Sequence, residues 1–334
     1  MSMGFKTTAL AVVAALIAMA APAKANDKVI FSLNWVPYGL HYGVFAAETQ
    51  GFYRKAGIDI DIQRGYGSSD TVKRVATGAA NFGMADMASI IIGRGNGLNV
   101  KQVAVVLDRS ADAIFYLKGI GIDKPEQLAG RTLGAAVGET PLNLFPVFAS
   151  GAGLDPSKVS VVNLTPPAKF PTLVSKKVDS IVAMLTEEPA IQGAAKKAGV
   201  EVEKFVYSDH GVDYYSIGLI ASDDTLKTKG DLAKRFVDAT IRGYQWAIQN
   251  PEAAADAYTK RFPESNRDLS LAQWKVTMQH MLTDNAKTHG LGYMERGKME
   301  KTLDLIKKYQ QGKAEITVED VYSPNFLSKI DAPK

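Results

Sequence analysis

Short apolar segments alternate with helical patterns from residue 29 to about residue 225, and this alternation restricts the fold more than any other feature of the chain. Such an order is typical of parallel sheets whose strands are joined by crossover helices. The candidate strands are Val29–Leu33, Ile58–Gln63, Phe82–Met84, Val100–Val106, Ala113–Leu117, Thr132–Ala136, Val159–Asn163, Ser180–Met184 and Ile217–Ala221. We therefore predict an α/β protein.

The pattern becomes helical after Asp223. An apolar stripe with three- and four-residue spacing predicts a helix from about 231 to 249. Asn250-Pro251 ends that helix and starts another, because the residue before a proline disfavours helical backbone. Further helices are predicted over 273–282 and 297–309, and Trp246 and Trp274 are assigned to the core.

One helix–turn–strand unit recurs along the chain. Val72, Val75 and Asn81 precede the strand at Phe82 with offsets of three and nine residues. The same offsets separate Phe170, Leu173 and Asp179 before the strand at Ser180, where the residue types are similar. The recurrence has two interpretations, a chance match or one structural unit used in two lobes.

The N-terminal segment has the three parts of a secretory signal peptide. Lys6 supplies the positive charge, Ala9 to Ala21 is an uncharged apolar run, and Ala23-Lys24-Ala25 is an A-x-A cleavage site. The run is shorter than the ~20 residues that a membrane anchor needs. We expect cleavage after Ala25, so residues 1–25 are assigned to the leader. No second apolar stretch of that length follows, and we expect a soluble exported protein.

Length and charge narrow the class of protein further. The chain has 334 residues, more than the ~250–300 at which single cores stop growing, so two domains are expected. The formal charge of +4 falls to +2 without the leader, and basic residues are interspersed with acidic ones. This pattern does not favour nucleic acid as a partner.

The sequence lacks the motifs of several kinds of enzyme. There are no cysteines, which excludes disulfides, thiolate nucleophiles and cysteine metal sites. The histidines at positions 41, 210, 280 and 289 show no metal-ligand spacing. Neither a Walker A sequence, nor a dinucleotide fingerprint in its strand–helix context, nor a Gly-x-Ser-x-Gly elbow occurs. We predict no catalytic residues, no metal and no cofactor.

Polar and aromatic residues follow the first candidate strand. Asn34, Trp35, Tyr38 and His41 lie in the turn after it. An indole face stacks on flat ligands, and an asparagine amide offers both a donor and an acceptor to a heteroaromatic edge. Trp35 has the alternative role of packing at a hinge, and His41 that of capping or bonding a loop.

The ends of the second and third candidate strands supply further candidate ligand-binding residues. After the second strand, Ser69 or Asp70 is predicted to cap a helix, which leaves the Ser68 and Ser69 hydroxyls for a ligand or makes both serines part of the cap. After the third strand, Met87 offers an adaptable apolar contact, and Asp86 is a candidate cap.

The second half of the α/β region offers a helix start and two acids. Thr140 is predicted as N-cap with Pro141 at the first helical position, and the partial positive charge there suits an anion. Glu139 beside it instead favours a ligand with N–H donors. Glu187 and Glu188 are adjacent carboxylates that can accept hydrogen bonds from an amine, or else form a solvated helix start.

Two arginines bear on the charge of a ligand. Arg64 precedes the glycine-rich loop 65–67, and Arg109 lies between two candidate strands. Either guanidinium is able to bind a carboxylate or sulfonate through two parallel hydrogen bonds.

The segment from Phe31 to Asp86 resembles the first lobe of periplasmic substrate-binding proteins of ABC importers, in the branch that binds sulfonates, nitrate-like anions and thiamine-precursor pyrimidines. The resemblance extends more weakly to about residue 260. Asn34-Trp35, followed by Pro37 and His41, is similar to the pyrimidine-binding members. The resemblance also implies that the strand end at 187–188 carries a ligand-contacting acid.

The resemblance implies a type II periplasmic binding protein, in which each of two lobes is a mixed sheet flanked by helices and the ligand cleft lies between them. Crossings are expected at 108–117 and 209–218. They place residues 27–112 and 213–334 in the first lobe, with the C-terminal helices, and residues 113–212 in the second lobe.

The function implied is that of the periplasmic solute-binding component of an ABC importer, with a permease and its ATPase at the inner membrane as partners. Such binders are usually monomers. The expected ligand is a pyrimidine thiamine precursor or a similar heteroaromatic. Alternatives are an organic anion (a sulfonate, a taurine-like compound or an aromatic carboxylate) held by arginine, and a sensor role. An enzyme, a thiamine-pyrimidine synthase, is disfavoured because those enzymes carry a Cys-rich motif.

Overall fold

The computed structural model describes residues 25–308 and 315–328. The predicted leader, apart from its last residue Ala25, lies outside the described residues. So does Tyr309, the predicted last residue of the C-terminal helix. Within the described ranges, no helix combines the length and the apolar character needed to cross a membrane.

Ten strands occur among the described residues. They are β1 Asp27–Ser32, β2 Ile58–Gln63, β3 Phe82–Asp86, β4 Val100–Val105, β5 Asp112–Leu117, β6 Thr132–Ala135, β7 Ser160–Asn163, β8 Ser180–Met184, β9 Val202–Val206 and β10 Ile217–Ser222. All nine predicted strands are confirmed, two of them to the residue. The tenth, β9, was missed because Glu203 and Lys204 interrupt its apolar pattern at the edge of a sheet.

The strands form two five-stranded sheets with related topologies. The first sheet has the order β2-β1-β3-β10-β4 and the second the order β7-β6-β8-β5-β9. β10 runs antiparallel to β3 and β4, and β5 runs antiparallel to β8 and β9. Each of these is the first strand after a crossing from the other sheet, so it enters from the opposite end. The sheets are therefore mixed, as the resemblance implied, and not purely parallel.

Two segments connect the sheets, 106–111 between β4 and β5 and 207–216 between β9 and β10. The segments bond to each other: the Ser216 N–H donates to the Leu107 carbonyl at 3.1 Å, and the Val106 N–H donates to the Ile217 carbonyl at 2.8 Å. The first sheet thus contains residues from 27–105 and 217–222, and the second residues from 112–206. The exact lobe limits given above stay a prediction.

Helices flank both sheets. Their bounds are Tyr42–Thr49, Phe52–Lys55, Ser68–Ala76, Met87–Gly95, Thr140–Asn143, Phe145–Gly151, Lys169–Val174, Glu188–Ala198, Asp223–Thr228, Gly230–Gln249, Pro251–Arg261, Arg267–Met281, Asp284–His289, Arg296–Lys307 and Val318–Val321. The helices predicted at 231–249 and from Pro251 are confirmed. The helix predicted at 273–282 begins earlier, at Arg267, because the Asn266 side chain caps it by accepting from the Leu269 N–H at 2.8 Å.

Two predicted N-caps are wrong by one to three residues. The helix after β2 begins at Ser68, preceded by Gly67 with φ of +122°, and neither Ser69 nor Asp70 caps it. A positive φ is accessible to glycine at little cost, so the chain turns into the helix sooner than a serine cap would allow. The helix after β6 begins at Thr140, with Glu139 at the N-cap position.

The recurring helix–turn–strand unit is present in both sheets. Helices Ser68–Ala76 and Lys169–Val174 lead into β3 and β8 respectively. At the equivalent positions, Asn81 Oδ1 accepts from the Ile30 N–H at 2.8 Å, and Asp179 Oδ2 accepts from the Thr132 N–H at 2.8 Å. In each sheet the polar residue before the strand thus bonds the neighbouring strand or its start, which supports the structural interpretation over chance.

The long helix Gly230–Gln249 packs its predicted apolar stripe on the first sheet. The Phe236 ring stacks on Phe82 with centroids 4.2 Å apart and meets Phe31 edge-on at 5.1 Å. Trp274 is fully buried and Trp246 packs against the same core, as predicted. The long helix also packs against Tyr42–Thr49 through a close approach at Gly43.

Gly43→Ala tests that close approach. A Cβ at position 43 would lie 2.2 Å from Cγ of Tyr244, so we expect the variant to lose about 1–3 kcal/mol of unfolding free energy through overpacking. Gly193→Ala is the matched control, because its Cβ meets no atom within 4 Å in the exposed helix Glu188–Ala198, and we expect a gain of about 0.5–1 kcal/mol. Urea denaturation measures the unfolding free energy of both variants and of the native chain. If Gly43→Ala were as stable as the native chain, the packing argument would be refuted.

Candidate functional site: the pocket between the two sheets

A pocket lies between the two sheets, where the ends of strands from both meet. The empty space among its lining atoms, counted together with adjoining open solvent, amounts to about 320 Å³. Its lining consists of Asn34, Trp35, Tyr38, Gly67, Ser68, Glu139, Thr140, Pro141, Met184, Glu187 and Ile217. The carboxyl ends of β1, β2, β6 and β8 supply all of these residues except Ile217, which begins β10. This is the edge at which open α/β sheets hold small ligands.

Six of the predicted ligand-binding residues lie together in this pocket. They are Asn34, Trp35, Tyr38, Ser68, Thr140 and Glu187. Their contact with a ligand stays a prediction, but they come from four separate segments and face one space. Sequence reasoning did not single out Pro141, Met184 or Ile217, because apolar residues at strand and helix ends carry no signal that separates pocket lining from core.

Three other predicted residues lie close to the pocket without lining it. His41 is buried directly behind Asn34. Ser69 lies where the lobes meet, and its Oγ accepts from Asn143 Nδ2 at 3.1 Å. Met87 is fully buried in the core.

Glu188 and the two arginines point elsewhere. Glu188 forms an ion pair with Lys204 at 2.5 Å. Arg109 is exposed in the first connecting segment. Arg64 is exposed as well, with its guanidinium 4.4 Å from the ring centroid of Tyr66. The pocket as formed contains no arginine among its lining residues.

Trp35 presents an aromatic surface to the pocket and is held from the opposite lobe. The side chain is 7% exposed, and the Lys169 ammonium lies 5.3 Å from its ring centroid. A cation at this distance is attracted by the electron-rich face of the indole. Lys169 was missed by sequence reasoning, because a lysine in a helix is normally solvated.

Asn34 is oriented by a neighbouring histidine. His41 Nδ1 accepts from the Tyr38 backbone N–H at 3.3 Å, and His41 Nε2 lies 2.9 Å from Asn34 Oδ1. Burial lowers the pKa of His41 to about 3, so the ring is neutral. Since Nδ1 accepts, the proton lies on Nε2 and is donated to Asn34 Oδ1.

Glu139 and Lys169 form a buried ion pair beside the pocket, with Nζ and Oε2 2.5 Å apart. Glu139 Oε1 also accepts from the Ala136 N–H at 2.6 Å. Burial raises the pKa of Glu139 to about 7, although the ammonium opposes that rise. Burial works to lower the pKa of Lys169, but the charges of Glu139 and Glu187 outweigh it, so the pKa is raised and the ammonium stays charged.

Glu187 lines the pocket, and one of its two carboxylate oxygens is available to accept a hydrogen bond from a ligand. Its Oε2 accepts from the Met184 N–H at 3.2 Å. No donor to Oε1 is found within residues 25–308 and 315–328, and the residue lines the pocket. A carboxylate oxygen in that position accepts a hydrogen bond from an N–H or O–H of a ligand.

The lobes are in contact across the pocket, so the structure is that of a closed cleft. Tyr38 Oη and Thr186 Oγ1 lie 2.9 Å apart, and the Ser69 N–H donates to the Gly138 carbonyl at 3.3 Å. Gly67 approaches Gly138 so closely that a Cβ on Gly67 would lie 2.8 Å from that carbonyl oxygen. Closure therefore uses direct protein contacts at the rim of the pocket.

A buried pair of carboxyls lies beneath the pocket, at the connections between lobes. Asp86 ends β3 and Asp112 begins β5, and the Tyr214 hydroxyl lies 3.1 Å and 2.6 Å from their respective Oδ2 atoms. Ser216 Oγ donates to the same oxygen of Asp86 at 2.7 Å. One phenol hydrogen cannot serve two carboxylates, so this arrangement favours one additional proton on the pair.

The environment of that pair keeps a carboxyl neutral. Burial, and then the charge of Asp112, raise the pKa of Asp86 well above its usual range. Burial raises the pKa of Asp112 to about 6. Within the described part of the chain, no lysine, arginine or histidine side chain pairs with either carboxyl. The predicted Asp86 cap is confirmed, because Oδ1 accepts from the Ala88 N–H at 2.8 Å.

The chemistry of the pocket is that of recognition by stacking and hydrogen bonding. It offers an indole face, an asparagine amide, a serine hydroxyl and a carboxylate oxygen. In the described ranges, no group of three or more histidine, aspartate or glutamate residues has the geometry to hold a metal ion.

Comparison with known proteins assigns the family. The family model described as NMT1/THI5 like matches residues 39–254, which is more than half of the chain. The chain belongs to this family.

Two relatives have names that state a function. A formylaminopyrimidine-binding protein of Halalkalibacterium halodurans is 23% identical over 306 residues, covering 90% of this chain and 91% of the relative. A 4-amino-5-hydroxymethyl-2-methylpyrimidine phosphate synthase of Saccharomyces cerevisiae, THI11, is 26% identical over 261 residues, covering 75% of this chain and 76% of the relative. The chain is thus similar both to a binding protein and to a synthase.

Solved structures confirm the fold. The periplasmic aliphatic sulphonate binding protein SsuA of Escherichia coli superimposes with a TM-score of 0.67 at 13% identity, covering 92% of this chain and 94% of the other. The predicted two-lobed periplasmic binding protein fold of type II is therefore confirmed.

Asp112→Asn tests the buried carboxyl pair. A carboxyl whose folded-state pKa is raised stabilises the fold fully only below its unfolded pKa and loses that contribution as the pH rises through its folded pKa. With a folded pKa of about 6, Asp112 should remove about 2 kcal/mol between pH 4 and pH 7. We expect the stability of Asp112→Asn, relative to the native chain, to increase by about that amount over this window.

The measurement is urea denaturation of both proteins at pH 4, 5, 6 and 7. The asparagine also changes local hydrogen bonds, and it removes the Asp112 charge that helps to raise the pKa of Asp86. That second change also increases the relative stability of the variant as the pH rises, so it acts in the expected direction. A stability difference that is constant across the window would show that Asp112 is ionised throughout and would contradict the buried proton.

Proposed function

We propose that this chain is the solute-binding component of an ABC importer and that its ligand is an unphosphorylated aminopyrimidine. The observation that carries the proposal is the pairing, in one closed pocket, of the Trp35 face with the Asn34 amide and the unpartnered oxygen of Glu187. A flat ring stacks on the indole, a ring nitrogen accepts from the amide, and an exocyclic amino group donates to the carboxylate. The relative that binds formylaminopyrimidine supports this choice.

The charge of the pocket favours a ligand with N–H donors over an anion. Glu139 and Glu187 both line it, and the cation over the Trp35 ring, Lys169, is already paired with Glu139. Arg64 and Arg109, on which an anion site was predicted to depend, are exposed and outside the lining. A sulfonate or carboxylate would therefore meet Glu187 without a free cation to offset the repulsion.

An enzyme remains the second candidate, because the synthase of Saccharomyces cerevisiae is a family member of similar identity. The chain contains no cysteine, whereas the resemblance to the family implies a Cys-rich motif in the synthases. Expression of this chain in a Saccharomyces cerevisiae strain that lacks its 4-amino-5-hydroxymethyl-2-methylpyrimidine phosphate synthases decides between the two. A synthase restores growth without added pyrimidine, and a binding protein does not.

Transport also requires partners that this chain does not contain. In the proposed role, the closed, ligand-loaded form docks on a permease driven by an ATPase at the inner membrane. Contacts such as Tyr38–Thr186 hold the two lobes in one relative position in the closed form. The surface that the two closed lobes form together differs from that of the open form, so a permease can distinguish the two forms. The proposed monomeric state is testable by sedimentation.

Glu187→Gln and Glu188→Gln form a matched test of the ligand site. Loss of the charge at Glu187 should weaken binding about tenfold or more, since hydrogen bonds to charged groups contribute about 1.5–3 kcal/mol. Glu188→Gln makes the same chemical change one residue along, outside the pocket, and should change the dissociation constant by less than about twofold. Isothermal titration calorimetry with formylaminopyrimidine and with 4-amino-5-hydroxymethyl-2-methylpyrimidine measures both variants.

Trp35→Ala and Arg109→Ala complete that experiment. Removal of the indole should weaken binding about tenfold or more through loss of stacking and buried area. Arg109→Ala should leave pyrimidine affinity unchanged. If instead a sulfonate binds and Arg109→Ala abolishes that binding, the anion alternative replaces the aminopyrimidine.

Export makes a separate prediction about the N-terminus. When the full chain is expressed in a Gram-negative host, the periplasmic protein should begin at Asn26, because cleavage follows the Ala23-Lys24-Ala25 signal. Intact-mass spectrometry of the periplasmic fraction measures this. Ala25→Asp should block processing, and a cytoplasmic chain that retains Met1 would argue against the periplasmic role.

A further inference from the structure

We propose that His41 is the residue that sets the hydrogen-bonding specificity of the pocket, by locking the Asn34 amide with its N–H groups toward the ligand. The inference rests on the proposed function for the identity of the ligand, but the lock itself is a property of the empty protein. His41 does not line the pocket, so it acts through Asn34 as a positioning residue.

A backbone hydrogen bond fixes the tautomer of His41. The Tyr38 N–H can only donate, so His41 Nδ1, 3.3 Å away, must accept and carries no proton. A neutral imidazole then has its proton on Nε2, where it lies 2.9 Å from the Asn34 side chain. The ring is fully buried, and burial lowers the pKa of His41 to about 3, so the ring is neutral near pH 7.

The orientation of Asn34 follows from that proton. An N–H donor faces the amide, so the carbonyl oxygen Oδ1 must turn toward His41 and Nδ2 must turn away from it. Asn34 is 5% exposed and lines the pocket, so Nδ2 is the amide atom left to meet a ligand. An asparagine without this lock could present either a donor or an acceptor.

Packing fixes the ring that provides the lock. His41 ends a short 3-10 turn over Gly39–His41, and its ring meets the Tyr38 ring edge-on, with centroids 5.1 Å apart at 86°. Tyr38 in turn contacts Thr186 of the other lobe through its hydroxyl. The same ring therefore supports one residue that reads the ligand and one that closes the cleft.

Together, Asn34 and Glu187 define a pattern of one donor and one acceptor. A 4-aminopyrimidine edge matches it with a ring nitrogen that accepts and an amino group that donates. The corresponding pyrimidin-4-one has a ring N–H and a carbonyl in those places, so it opposes donor to donor and acceptor to acceptor. A buried site built for one pattern rejects the inverted pattern strongly, because its own polar groups are left unpaired.

The test compares two ligands against three proteins. The ligands are 4-amino-5-hydroxymethyl-2-methylpyrimidine and its 4-oxo counterpart, and the proteins are the native chain, His41→Gln and His41→Met. We expect the native chain to prefer the amino compound by about 100-fold or more. His41→Gln retains an N–H donor near Asn34 Oδ1 and should keep that preference within about threefold.

His41→Met removes the donor but keeps an apolar side chain of similar size. It frees Asn34 to flip, so the preference should fall by about tenfold, mainly through a gain in affinity for the 4-oxo compound. If the role of His41 were purely structural, the variant would bind both ligands more weakly by the same factor. The ratio of the two dissociation constants would then be unchanged. An unchanged ratio in a folded His41→Met protein would overturn the proposal.

A second measurement needs neither a variant nor a ligand. Long-range proton–nitrogen NMR spectra of the native protein report which imidazole nitrogen of His41 carries the proton. We expect the Nε2–H form, and an Nδ1–H form would overturn the proposal. If the native chain binds neither pyrimidine, the proposed function fails, while the tautomer still decides whether the lock exists.

Discussion

The pocket depends on one constraint, that two sheets present their strand ends to each other across a pair of hydrogen-bonded connecting segments. Because 106–111 and 207–216 bond to one another, each sheet has a defined position relative to the other in the closed form. The side chains that follow β1 and β2 then face those that follow β6 and β8. A ligand between them is surrounded by residues from both lobes, which is why binding and closure are coupled in a cleft of this kind.

Buried charge is the second theme of the structure. Lys169 and Glu139 are buried together as an ion pair. Asp86 and Asp112 share a site with Tyr214, and no basic side chain in the described part of the chain pairs with them. Burying such groups costs free energy unless they are paired, hydrogen-bonded or neutralised. Lys169 and Glu139 are paired with each other, and the aspartate pair is neutralised in part by a shared proton. Both clusters lie beside or beneath the pocket, so they fix its walls and leave Glu187 as the carboxylate available to a ligand.

Family membership alone does not separate binding from catalysis, since the relatives include both. The physical arrangement of the pocket is more informative. Its polar groups are placed by neighbours in their own lobe: Asn34 by His41, and Glu187 by the Met184 N–H. Groups held in this way keep a fixed orientation toward a ligand.

The sequence by itself determined the elements that depend on local patterns. Alternating strands, the apolar stripe that ends at Trp246, and five of the six predicted residues that line the pocket follow from periodicity and from the chemistry of strand ends. The tertiary structure alone decided which of Glu187 and Glu188 faces the pocket, that Arg109 does not, and that Lys169 lies on Trp35. Those outcomes depend on contacts between segments far apart in the chain, and spacing along one segment carries no information about them.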